Sequence, residues 1–252
     1  MQPKLAELMA VVSGLLPRLQ GRISGSDEGQ LCCGSPDNPQ RLRAYYERLR
    51  DANPLAGPHY WRIHTWNQII WQPIYLSVIS AHLGQGVPLL DGIGQNYRGD
   101  YVSGYSLPPH QHHAGSEGER VDFAAGQLSD WLTVQLQELG GVFKFNPKLA
   151  SWLALDCLGS ALLFVRRPLG ADKARLRVME RQWLDVLAVD ADSALVDKPS
   201  DQGTGELTLE RRACCQYFRR PELGLCPNCP RQRLGQVHTQ LPSQLLYCST
   251  GG

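Results

Sequence analysis

Four of the eight cysteines lie in one short stretch near the C-terminal end: Cys214, Cys215, Cys226 and Cys229, spaced C-C-x10-C-x2-C. If these thiols act together, the chain between them must fold back on itself. The turn Cys226-Pro227-Asn228-Cys229 is a natural two-ligand grip, because Pro and Asn favour a tight turn that brings both sulfurs to one side. The adjacent pair is more awkward. Consecutive α-carbons are ~3.8 Å apart, and side chains of an extended chain diverge. Cys214 and Cys215 therefore either serve two metal ions or crowd onto one, and the spacing leaves that open.

Thiolates are soft, strongly donating ligands, suited to iron–sulfur clusters and to zinc. A zinc ribbon normally carries C-x2-C at both ends, whereas one end here is C-C. A Rieske centre needs two histidines, and none lies between Cys214 and Cys229. The N-terminal MQPKLAELMAVVSGLLPRLQG reads as an amphipathic helix and not as a signal peptide, since Glu7 interrupts it and no small-residue cleavage site follows. The expectation is a cytoplasmic, reducing setting, where free thiols or metal ligands outweigh disulfides.

The segment RRACCQYFRRPELGLCPNCP, residues 211–230, resembles the C-terminal signature of the FhuF-type siderophore ferric reductases, whose hallmark is C-C-x10-C-x2-C carrying a [2Fe–2S] cluster. All four positions are present without a gap. The aromatic run YWRIHTWNQIIWQPIYL, residues 60–76, is similar to that family's N-terminal region. The resemblance implies a [2Fe–2S] cluster on Cys214, Cys215, Cys226 and Cys229. It also implies an enzyme that takes one electron from a donor protein and passes it to Fe(III) in an imported ferric siderophore. Hard oxygen donors suit Fe(III) and hold Fe(II) far more weakly, so reduction releases the metal. Arg211, Arg212, Arg219, Arg220, Arg231 and Arg233 crowd the segment against Glu210 and Glu222. Such an excess favours a more negative, reduced cluster, and Arg212, Arg219 and Arg220 are the candidates for binding substrate or donor. Two other readings stand beside this one: a small-ligand binding protein with a structural four-cysteine zinc site, and an iron–sulfur carrier without a dedicated substrate.

The rest of the chain is helix-patterned. Helices are expected over 4–20, 40–51, 59–83, 119–139, 146–167 and 172–187, with Pro73 kinking or dividing the third. Asn146-Pro147 is an N-cap followed by proline at the first helical position. Strand signals fall at 98–107, 207–211 and 245–247, and loops at 21–39 and 108–118. The fold class is a helix-rich α+β: one unit over 1–252, with a mainly helical substrate-binding part at 1–203 and a short-stranded, cluster-bearing segment at 204–252. The most membrane-like run, 149–165, is short and holds Asp156 in its middle, so it is expected in the core and no transmembrane segment is expected.

With 42% hydrophobic and 19% charged residues and a formal charge of +1, the chain gives no global case for nucleic acid or an anionic membrane. No Walker motif, G-x-S-x-G or H-E-x-x-H occurs, and Gly92-Ile93-Gly94 followed by Gly99 fails the dinucleotide fingerprint. Cys32-Cys33 repeats the vicinal pattern as a redox pair, a spare ligand set or an inert pair, and the last is favoured because no second pair follows at ligand spacing. Cys157 reads as core, and Cys248 as incidental. His110, His112 and His113 read as an exposed loop, and Trp66 and Trp71 as core packing.

Overall fold

A computed structural model describes residues 2–187, 193–198, 205–220 and 222–234. The expected strand at 245–247, Cys248 and the interior of the 198–205 linker lie outside them, as does the side chain of Arg233. The architecture is the expected helix-rich α+β. In chain order the elements are α1 (Gln2–Leu15), β1 (Gly21–Ile23), β2 (Leu31–Cys32), α2 (Asn38–Ala52), α3 (Gly57–Leu83), β3 (Gly94–Arg98), β4 (Tyr101–Leu107), α4 (Glu117–Gly140), α5 (Pro147–Leu169), α6 (Lys173–Val186), β5 (Leu195–Lys198) and β6 (Glu206–Leu209). Short 3-10 turns follow at Tyr217–Arg219 and Pro230–Leu234.

The caps behave as their chemistry dictates. Ser116 and Glu119 close a capping box on α4, Asn146 accepts the N–H of Lys148 and Leu149 on α5, and Asp172 accepts that of Arg175 on α6. Helix α5 stops at Gly170, whose φ of 59° is the left-handed conformation that glycine adopts without a Cβ penalty.

Helix α3 is the axle of the fold. It runs undivided through Pro73, where the sequence predicts a kink or a division. Proline has no N–H to give the carbonyl four residues back, which is that of Ile69. In its place the Gln95 side chain, reaching over from β3, donates Nε2–H to the Ile69 carbonyl at 2.9 Å. The lost bond is thus replaced from another element, and the helix continues.

Helices α4 and α5 flank α3, α1 and α2 also pack on it, and α6 lies against α4 and α5. The four-stranded sheet has the order β1-β4-β3-β2, with β1 parallel to β4 and the other pairs antiparallel. The expected single strand at 98–107 is a hairpin turning at Gly99-Asp100, and β1 and β2 sit in what the sequence offered as a loop. Strands β5 and β6 form a separate antiparallel hairpin. Its Leu209 packs on Gly159 of α5, where a Cβ would meet the leucine at 2.8 Å. Among the described helices α5 is long and apolar enough to cross a membrane by length and composition, but 61% of that apolar window is buried inside the protein.

Candidate metal centre

The four cysteines come together, and the element that seats them is α5. Asp156, one turn before Gly159, accepts the backbone N–H of Arg212 on Oδ1 (2.9 Å) and of Ala213 on Oδ2 (3.0 Å). The Arg211 guanidinium lies 3.5 Å from the same carboxylate, and both side chains are almost fully buried (3% and 1% exposed). Burial pushes the Asp156 carboxyl up, while Arg211 and the two amides pull it back. Burial alone would lower Arg211. Cys215, Asp156 and Cys226 outweigh that and keep the guanidinium charged. One carboxylate thus grips the three residues before the first cysteine and neutralises the cation among them.

The sulfurs fall into two pairs. Cys215 and Cys226 lie 3.7 Å apart, and Cys214 is in hydrogen-bonding contact with Cys229. The divergence expected of adjacent cysteines is therefore used: each member of Cys214-Cys215 faces a different cysteine of the C-x2-C turn. That turn is closed by the Cys229 N–H donating to the Cys226 carbonyl at 3.0 Å, and Gln232 Nε2 donates to the same carbonyl at 3.0 Å. Gln216 follows with φ of 62°, the one non-glycine in the left-handed region among the described residues. A non-glycine there is strained, and such positions concentrate at functional sites. The bend aims amides at sulfur: Gln216 donates to Cys214, and Tyr217 to Cys215.

The two pairs sit in unequal fields. The hydrogen bond from Cys226 and the charge of Arg211 bring the Cys215 thiol down to about 6 against its burial. Burial raises Cys214 to about 11, against the pull of the Gln216 amide. Around them Leu49, Ala56, Tyr60, Tyr217, Leu223 and Leu225 form a small apolar cluster of their own, separate from the main core. His64 stacks on Tyr60 at 5.0 Å and meets the edge of Tyr217 at 5.4 Å.

The arginines named from sequence play different parts. Arg212 is half-buried and engaged through its backbone. Arg219 is exposed, with Nε donating to Gln216 Oε1 at 2.8 Å. Arg220 is mostly covered and paired with Asp100 (3.1 Å) and Glu222 (2.6 Å). Arg231 lies over the Phe218 ring at 4.1 Å, with Arg219 5.7 Å from the same ring. Sequence reasoning saw Asp156 only as an interruption of an apolar run; a lone acid amid core residues was the available signal. Gln216 carried none.

The remaining candidates lie apart from the four cysteines and have partners of their own. Cys32 and Cys33 lie near α2 and α4, where Asn38 accepts the Cys32 N–H and burial raises the Cys33 thiol well above its usual range. The three histidines of the expected exposed loop are half-buried: His110 is used on both nitrogens, by the Pro108 carbonyl and the Leu89 N–H, while His113 stacks on Phe123 at 4.1 Å. Trp66 and Trp71 are buried, each donating its indole N–H to a carbonyl. Among the described residues no three His, Cys, Asp or Glu side chains are gathered round a point as a single ion requires.

Neither any protein-family model nor any solved structure matches this chain. The likeness of residues 211–230 to a known signature therefore rests on those residues alone.

Proposed function

We propose that this protein is a cytoplasmic ferric-siderophore reductase of the FhuF type, holding a [2Fe–2S] cluster on Cys214, Cys215, Cys226 and Cys229. The observation that carries the reading is the sorting of four thiols into two facing pairs inside one apolar pocket, Cys215 with Cys226 and Cys214 with Cys229. A binuclear cluster takes two thiolates per iron, whereas one zinc ion takes four at a single centre. Paired sulfurs, amide N–H groups aimed at them and a buried guanidinium beside one pair fit the binuclear group. When bound, such a cluster supplies reversible one-electron chemistry that no side chain here offers.

The chain's own residues do the rest. Asp156 fixes the approach to Cys214, and the Gln216 bend turns amides towards sulfur. Arg211 places a positive charge where reduction adds a negative one, which raises the potential. The apolar cluster excludes water, which strengthens each of these interactions. Fe(III) in the chelate is the substrate, Fe(II) the product, and a donor protein the source of the electron.

The test is the visible spectrum of protein purified without air. Charge-transfer bands that bleach with dithionite and return on adding a ferric siderophore are expected. A colourless protein with stoichiometric zinc sinks the proposal. Bands that do not return with ferric siderophores reduce it to an electron carrier.

A further inference from the structure

We infer that the cleft between the β5–β6 hairpin and the Cys226–Cys229 turn is the docking site for an oxygen-rich ferric chelate. This rests on the reductase reading above. The cleft measures about 280 Å³ and is lined by Val196, Lys198, Thr208, Asn228, Cys229 and Gln232, among others. Electron transfer weakens steeply with distance, so a small acceptor needs a concave surface that reaches a cysteine of the centre. This cleft has Cys229 in its wall. The apolar groove bounded by Trp66, Leu128 and Leu158 has none of the four cysteines in its lining.

The lining suits such a ligand. The amides of Asn228 and Gln232, the Thr208 hydroxyl and the Lys198 ammonium are all donors, and the peripheral carbonyl and amide oxygens of a chelate are acceptors. Of the two acidic lining residues, Asp197 is held by Lys173 at 2.7 Å and Arg177 at 2.8 Å. That neutralises Asp197 and leaves Lys198 and Glu210 as the other charges of the wall, which therefore does not repel a neutral chelate. The volume lies near the lower end for ligand sites, so it takes one face of a chelate and leaves the rest in solvent. One electron passes from the reduced protein to Fe(III), giving Fe(II). No bond to the protein forms, and an external one-electron donor protein restores the reductant.

Thr208 and Val196 oppose each other across the hairpin and both line the cleft, while Leu207 and Leu209 of β6 are buried. Thr208→Trp therefore fills the cleft while leaving all four cysteines in the sequence, and Lys198→Glu reverses its charge with little change of volume. The probe is the Ga(III) complex of N-acetyl-desferrioxamine B, a neutral trihydroxamate chelate that cannot be reduced, titrated calorimetrically into the full-length, cluster-loaded protein. Both variants are expected to weaken binding tenfold or more, and to slow reoxidation of the reduced protein by the Fe(III) complex, with bands and reduction potential unchanged. Reoxidation of Thr208→Trp by ferricyanide, which needs no specific site, stays at the wild-type rate. Wild-type binding in both variants with bands intact overturns the cleft and leaves the reductase reading standing. A wild-type protein that never shows the bands overturns both.

Discussion

The carboxylate of Asp156 on α5 accepts the backbone N–H of Ala213 at 3.0 Å, tying the middle of an apolar helix to the residue before the first cysteine. The contact makes the cysteine segment dependent on a residue more than fifty positions upstream. Asp156→Leu is expected to leave Arg211 buried without its carboxylate and two amides without an acceptor. Breaking a buried pair in this way costs about 3–5 kcal/mol. Asp156→Asn, similar in shape but neutral, is expected to retain the fold with a smaller loss. Thermal denaturation, together with iron and sulfide content per chain, checks both. Wild-type cluster content in Asp156→Leu would falsify the anchoring role.

Arg211 and Arg219 separate a buried charge from an exposed one. Arg211→Gln is expected to make the reduction potential more negative, because a cation beside Cys215 and Cys226 is lost from a medium that screens poorly. Arg219→Ala, in solvent, is expected to move it far less. For a one-electron couple a tenfold change in equilibrium is about 59 mV. Spectroelectrochemical titration of both variants reads the order directly, and equal shifts would contradict it.

The Ile69 carbonyl offers a test of how α3 survives Pro73. Gln95→Leu is expected to leave that carbonyl buried and unsatisfied, at about 1–3 kcal/mol. Pro73→Ala restores a helical N–H to the same acceptor. In the double variant the cost of Gln95→Leu is therefore expected to shrink. A urea-denaturation mutant cycle measures the coupling, and strict additivity would show that Gln95 acts elsewhere.

Buried histidines set an acid limit to stability. His82 donates Nδ1–H to Glu117 (2.7 Å) and accepts Trp183 Nε1–H on Nε2 (2.9 Å), a pattern that requires the neutral ring. Burial lowers the folded pKa of His82 below its ordinary 6.5, and burial lowers that of His64 to about 4. The unfolded chain therefore binds these protons first. Their contribution is complete above pH 6.5 and is lost as pH falls towards 4, at up to about 1.4 kcal/mol per pH unit per histidine. His82→Gln is expected to be less stable at pH 7.5 and to show a shallower acid slope. Parallel slopes from pH 7.5 to 4.5 would remove His82 from the account.

Local signals located most of the elements. Asn146-Pro147, Asp172 and the glycines after α4 and α5 mark helix ends because capping is chemistry between near neighbours. The C-C-x10-C-x2-C spacing likewise singled out the sulfurs as a set. The short strands β1, β2 and β5 escaped detection, since two to four residues carry too little periodicity to read and are defined by partners distant in sequence. Helix α3 passes Pro73 undivided for the same reason: the group that satisfies Ile69 comes from β3.

By itself the sequence located the six helices, within about two residues at every end except that of α1, which stops at Leu15 and not at 20, marked the fold as a helix-rich α+β, and singled out four thiols as candidate ligands. These follow from capping, periodicity and ligand chemistry, all of which act within a few residues. Only the tertiary structure decided that Cys214 faces Cys229 and Cys215 faces Cys226, that Asp156 anchors the segment, and that Arg211 is buried against it while Arg219 stays in solvent. Each of those depends on burial and on a partner from another element, and burial is a property of the packed chain that no local run of residues carries.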